Sequence, residues 1–266
     1  MPVDEHTFTL GITGPVHYRS APAPGIPPLY LHGIPTSSAD WVPFLERAGG
    51  IAPDLIGFGR TGKGGHLDYS LDGLARFVEE LLDHLGIGRV SLVAHQWGAA
   101  VGAVLAARHP DRVARLTLLQ PLPLIDGFQW PRPVRWWRRP LLGELLMGGT
   151  TRRMLARGLR RGSATREAWP DRRVATVWED FDQGTQRAIL RLHRATAAFA
   201  LDGVLGELRA PAVVIWGDRD PWLAPELADA YAAGLATAEL ERVDAGHWPW
   251  LDRPELVERV ATLAAQ

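Results

Sequence analysis

The chain has 266 residues, 46% hydrophobic and 22% charged, with a formal net charge of −1. That length suits one large α/β domain or a domain carrying an insertion, and the near-neutral balance gives no electrostatic case for nucleic acid as a partner. There are 0 cysteines, which excludes a disulfide, a thiolate nucleophile and a cysteine metal site.

The opening MPVDEHTFTL has no basic start followed by an apolar stretch, so no signal peptide is expected. No apolar run reaches bilayer-spanning length; a cytoplasmic protein without a membrane partner is the expectation. Residues 6–21 read as two short strands around a turn at Gly14-Pro15. The compact apolar run PPLYLHG (27–33) reads as a buried strand. SSADWVPFLERAG (37–49) reads as a helix and GIAPDLIGFGR (50–60) as a strand with its exit loop. SLDGLARFVEELLDHLG (70–86) has helical periodicity, with Ser70 as N-cap and Gly86 as stop. RVSLVAHQ (89–96) predicts a strand, WGAAVGAVLAARHP (97–110) a buried small-residue helix, and RVARLTLLQP (112–121) the next strand.

The alternation then stops. From Leu122 to Glu207 the chain is rich in proline, arginine and tryptophan, with helical pieces such as RRMLARGLRR. Strands and helices resume with APAVVIWGDRD (210–220), PELADAYAAGL (225–235), AELERVDAGH (238–247) and a final helix over 254–266. The pattern predicts an α/β fold: a mostly parallel sheet covered by helices on both faces. Residues 1–121 and 208–266 would form the core, and 122–207 a helical cap inserted after the sixth strand. Such a cap would lie over the carboxyl ends of the strands, where open α/β sheets bind ligands.

Three strand ends carry polar groups in the order Gln96, Asp220, His247. In AHQWG, Ala94 and Gly98 flank Gln96 at two residues' distance, as a sharp, strained turn requires. Asp220 is placed to orient the His247 imidazole; Asp218 is the second choice of acid. The turn after LHGIP (31–35) offers the Ile34 N–H and the elbow offers that of Trp97, together an oxyanion site.

HGIPTSSADW, PDLIGFGRTGKG, AHQWG, WGDRD and GHWPW, in that order, resemble the α/β-hydrolase superfamily over essentially the full chain, and within it the haloalkane dehalogenase and epoxide hydrolase branch. The resemblance implies the α/β-hydrolase fold, a small or medium, largely apolar substrate, no cofactor and no metal. It places the nucleophile at Gln96, the acid at Asp220 and the base at His247. It also matches Trp97 to the tryptophan whose indole N–H holds a leaving halide in dehalogenases. The chain departs from the pattern in three ways. Gln96 stands where the branch has aspartate. Ile34 stands where many dehalogenases have a halide-holding asparagine; others use a cap tryptophan, for which Trp130, Trp136, Trp137, Trp169 and Trp178 are candidates. The tyrosines Tyr18, Tyr30, Tyr69 and Tyr231 all lie outside the cap, whereas epoxide hydrolases of the branch protonate the epoxide with cap tyrosines.

A neutral amide lacks the charge and basicity of a carboxylate nucleophile. Three readings of Gln96 follow. The chemistry runs non-covalently through His247 and Asp220, as hydration, ring opening or elimination; or the pocket only binds a ligand; or Gln96 was introduced into a hydrolase to trap its substrate complex.

Further pocket candidates are Gln120, at the end of the strand before the cap, and Trp130, Trp136, Trp137 and Trp248. His95 and His32 read as supports of the elbow and of the oxyanion turn, and Asp54 as a residue that fixes its own loop. His6, His17, His66, His84, His109 and His193 are scattered and show no metal spacing. Residues 131–162 hold nine arginines and one acid, Glu144; this reads as a solvated helical face, as a segment that draws an anionic substrate to the cap, or as a membrane-surface segment, against which the lack of a clean amphipathic period counts. A small-molecule partner and a monomer or homodimer complete the expectation.

Overall fold

The computed structural model describes residues 1–265. Eight strands form one sheet: β1 (Asp4–Leu10), β2 (Gly14–Ala21), β3 (Pro28–Leu31), β4 (Gly50–Pro53), β5 (Val90–Gln96), β6 (Val113–Pro121), β7 (Ala212–Gly217) and β8 (Ala238–Val243). Their order is β1-β2-β4-β3-β5-β6-β7-β8. β1 and β2 pair antiparallel, as do β2 and β4; the other pairings, from β4 through β3 to β8, are parallel. Helices on both faces leave the central parallel strands no solvated side, so PLYL of β3 and AVVIWG of β7 are buried at every residue. The outermost strands β1 and β8 are the exposed ones.

Between the strands lie α1 (Val42–Ala48), α2 (Leu71–His84) and α3 (Trp97–Arg108). Ser70 caps α2 by accepting from the Gly73 N–H at 3.0 Å. Most of α3 is buried because its alanines and glycines let it approach the sheet closely. A Cβ on Gly98 would lie 2.2 Å from Leu31 O, so that position admits no side chain without displacing β3 or α3.

Between β6 and β7 the chain forms α4 (Arg132–Trp137), α5 (Leu142–Gly148), α6 (Arg152–Gly162), α7 (Asp171–Asp180), α8 (Gln183–Ala195) and α9 (Val204–Glu207). Leu201 N–H donates to Leu124 O at 2.8 Å, closing the neck of the insertion. The helices rest on loops that follow the parallel strands: Thr185 Oγ1 donates to Gly57 O at 2.9 Å, and His247 N–H donates to Gly162 O at 2.6 Å. The chain ends with α10 (Glu226–Ala233), α11 (Pro249–Asp252) and α12 (Glu255–Ala264). Gln266, the last residue of the predicted final helix, lies outside the described residues.

Several predicted bounds shrink. Within the strand and exit loop expected over 50–60, the strand ends at Pro53, because the Asp54 carboxylate takes the Ser38 and Arg60 N–H groups at 2.8 Å each and turns the chain into the loop. The helix expected over 37–49 begins as a 3-10 turn at Ser38–Trp41 before α1. No described helix is long and apolar enough to cross a membrane.

Candidate active site

Gln96 ends β5 and precedes α3 with φ 49° and ψ −112°. Gln120, near the end of β6, has φ 44°. Only one other described non-glycine residue, Leu141, has positive φ. Such backbone costs about 1–3 kcal/mol per residue and gathers where a site demands it. Here two of the three cases stand at the carboxyl ends of adjacent strands.

The acid–base pair is closely held. His247 Nδ1–H donates to Asp220 Oδ2 at 2.6 Å, and both side chains are buried. The same oxygen accepts from Gln120 Nε2 at 2.9 Å, while Oδ1 accepts the backbone N–H groups of Trp222 at 2.8 Å and Leu223 at 3.3 Å. Gln120 Oε1 in turn accepts the Gly217 N–H at 2.6 Å. Four donors around one carboxylate fix its orientation. Because Nδ1 keeps its proton in the bond to Asp220, Nε2 of a neutral His247 carries the lone pair, as a general base requires. His95 Nε2–H donates to His247 O at 2.8 Å, so the backbone of His247 lies beside the elbow.

The nucleophile position is differently equipped. Ile34 N–H donates to Gln96 Oε1 at 2.9 Å, so the side chain of Gln96 occupies one of the two N–H groups expected to form an oxyanion site. The Trp97 N–H, in the first turn of α3, remains free of an intrahelical partner. Gly33 permits this arrangement: a Cβ there would meet Gln96 Oε1 at 2.6 Å. His32 supports the turn, donating from Nδ1 to Gly33 O at 2.7 Å and accepting the Leu55 N–H on Nε2 at 2.9 Å.

An aromatic wall stands beside the elbow. The rings of Trp97 and Trp130 stack at 5.9 Å, and His193 of α8 packs edge-on against them at 5.0 and 5.4 Å. The indole N–H groups of both tryptophans are buried without a partner. Trp41, Trp216, Trp248 and Trp250 share that state; Trp97 is singled out as the residue that follows Gln96, and Trp130 by its stack on Trp97. His193 Nδ1–H donates to Ile189 O at 2.8 Å, and burial with a nearby Arg138 guanidinium pushes its pKa down to about 4. The imidazole is therefore neutral near pH 7.

Other candidates are placed elsewhere. Trp136 is 54% exposed on the cap surface, which takes it out of the pocket-lining set; one residue on, Trp137 turns inward to within 5.8 Å of His193. Trp248 lies edge-on against His247 at 4.8 Å and against Trp169 at 4.8 Å, as packing behind the histidine. Trp169 Nε1–H is taken by Ser163 Oγ, and Trp178 packs on Phe181. Asp218 pairs with Arg242 at 2.9 Å and does not touch His247. His193 was not read from sequence as part of the site. The only signal was its place on the apolar face of α8 with Ile189, Leu190 and Leu192.

The comparisons with known proteins agree with the fold. The family model described as alpha/beta hydrolase fold matches residues 29–254. A haloalkane dehalogenase of Mycolicibacterium paratuberculosis is 32% identical, over 92% of this chain and 86% of that protein. Among solved structures, haloalkane dehalogenase DbeA from Bradyrhizobium elkani USDA94 superposes with a TM-score of 0.80 at 26% identity, over 99% of this chain and 98% of that one. Epoxide hydrolase CorEH shares the fold, with a TM-score of 0.85 at 23% identity over 99% of this chain and 98% of that one. The strained elbow, the His247–Asp220 pair and these likenesses converge: the chain belongs to the alpha/beta hydrolase fold family, as a relative of the haloalkane dehalogenases.

Proposed function

We propose that the protein is an enzyme acting on a small or medium, largely apolar molecule by non-covalent acid–base chemistry run by His247 and Asp220. The observation that carries this reading is the hydrogen-bonded anchoring of the pair, with four donors on Asp220 and the 2.6 Å bond to His247 Nδ1. A protein that only bound ligands would have no use for so closely oriented a base.

In this reading His247 Nε2 takes a proton from water or from the substrate, a step worth roughly 10²–10⁴-fold. The Trp97 N–H meets the negative charge that develops, and the unpartnered indoles of Trp97 and Trp130 offer donors to a leaving halide or oxygen. Gln96 does not attack. Its carbonyl is tied to Ile34 N–H, and its amide nitrogen serves as a donor that positions water or a substrate oxygen. Hydration, ring opening and elimination all fit this set of groups. The haloalkane dehalogenase kinship supports haloalkanes and related electrophiles as the substrate class.

One observation favours a second reading, a ligand-binding protein that reuses the pocket. With Gln96 Oε1 on Ile34 N–H, a substrate oxygen reaches that donor only by displacing the amide. His247→Ala separates the two. The enzyme reading expects turnover to fall about 10²–10⁴-fold with ligand affinity kept; the binding reading expects no turnover in either protein.

A further inference from the structure

The active site makes no use of the arginines of α6. Arg152, Arg153, Arg157, Arg160 and Arg161, together with Arg166 of the following loop, line a cleft of about 880 Å³ on the outside of the cap. It contains neither Gln96 nor His247. The one acidic residue in its wall, Asp171, is committed to Arg160 at 2.6 Å. The other five arginines form no ion pair among the described residues.

This arrangement works against the helix that bears it. Arg153, Arg157 and Arg161 follow one another at i, i+4 spacing, where like charges destabilise a helix. Arg152 and Arg153 occupy the first turn, which holds no acid, and a cation there opposes the helix dipole. The repulsion has a shape. From Arg152 to Arg160 the guanidinium-bearing positions form three rungs over ~12 Å of helix, and they border a concavity rather than a flat face. Its floor is the buried pair Ala156 and Val174. A volume of this size matches small-molecule sites, and arginine forks recognise phosphate oxygens in pairs.

We infer that this cleft is a binding site for a soluble molecule carrying two or more adjacent phosphate groups, with its apolar portion resting on Ala156 and Val174. A concave site with an apolar floor suits such a molecule better than a flat lipid surface. The site also bears on the reaction centre. Gly162, the last residue of α6, accepts the His247 backbone N–H at 2.6 Å, so an occupant of the cleft is held by the helix that anchors the candidate base.

The test uses the full chain with inorganic pyrophosphate as probe, at ionic strength held constant with sodium chloride. Calorimetry should show saturable binding, and the thermal midpoint should rise with pyrophosphate beyond its value in chloride alone. The triple variant Arg153→Gln, Arg157→Gln, Arg161→Gln should weaken binding at least tenfold. It should also melt higher than the parent without anion, because its helix no longer repels itself. Arg172→Gln, on α7 and outside the cleft, should bind as the parent does. Pyrophosphate binding no tighter than chloride, or an equal loss in Arg172→Gln, would overturn the inference. So would binding to vesicles of phosphatidylglycerol and phosphatidylcholine that pyrophosphate fails to displace, which would assign the arginines to a lipid surface.

Discussion

The two halves of the candidate site sit at the carboxyl ends of strands on either side of β6 and are built in opposite ways. On the β7–β8 side, Asp220 and His247 are buried and bonded to side chains or backbone from four parts of the chain: Gln120, the 222–223 turn, His95 and Gly162. On the β5 side the elbow keeps its strained backbone, but the residue it presents is a partly exposed neutral amide bonded to the oxyanion turn. The fold retains the strained backbone of an elbow at residue 96, while in the proposed mechanism the reactive group is the histidine. Strain at an elbow is a property of the backbone; nucleophilicity belongs to the side chain placed there. The contrast shows that one can persist without the other.

The comparison is broken most severely at the acid. Asp220→Asn keeps the shape but no longer stabilises the Nδ1–H tautomer of His247, and turnover should fall by ~10⁴-fold. Steady-state kinetics with a parallel ligand-binding assay checks this; an unchanged rate would remove the pair from the mechanism. Next is the elbow scaffold. Gly98→Val places a side chain where 2.2 Å separates the Cβ site from Leu31 O, and should cost about 1–3 kcal/mol of stability or more, read by urea unfolding.

Gln120→Leu probes the tie between the halves. It strands the Gly217 N–H and removes one donor from Asp220, for about 1–3 kcal/mol of stability. The kcat should fall as well with KM unchanged, because the carboxylate that orients His247 is held by one donor fewer. A stability loss with an unchanged kcat would mark Gln120 as packing alone.

The smallest effect belongs to the wall. His193 titrates near 6.5 when unfolded and at about 4 when folded, so between these values the unfolded chain binds more protons. Its contribution to stability is present above pH 6.5 and is lost as pH falls toward 4. Between pH 7 and pH 5 the loss is about 2 kcal/mol. His193→Gln should lose correspondingly less over that interval, measured by chemical unfolding at both pH values.

The parts legible in sequence were those written locally. Ser70 before α2, the small residues around Gln96 and the Asp220 and His247 strand ends announce themselves within a few neighbours. The choice of Asp220 rather than Asp218 as the partner of His247 was also legible. What stayed hidden depends on pairings across the chain. Gln120 meets Asp220 from 100 residues away, and no local pattern marks an amide for that role. Trp136 and Trp137 are adjacent and chemically identical; only the docking of α4 against α8 decides which turns inward. The Gln96–Ile34 bond, 62 residues apart in sequence, likewise follows from the meeting of β3 and β5.

The most direct test of non-covalent chemistry run by His247 is one assay of this chain, Gln96→Asp and His247→Ala on a panel of haloalkanes, epoxides and simple esters. Halide release, diol formation and ester cleavage would be followed together. The account predicts that this chain turns over at least one substrate, that His247→Ala lowers the turnover about 10²–10⁴-fold, and that Gln96→Asp does not raise it on that substrate. Turnover by Gln96→Asp alone would contradict it and identify a disabled covalent hydrolase.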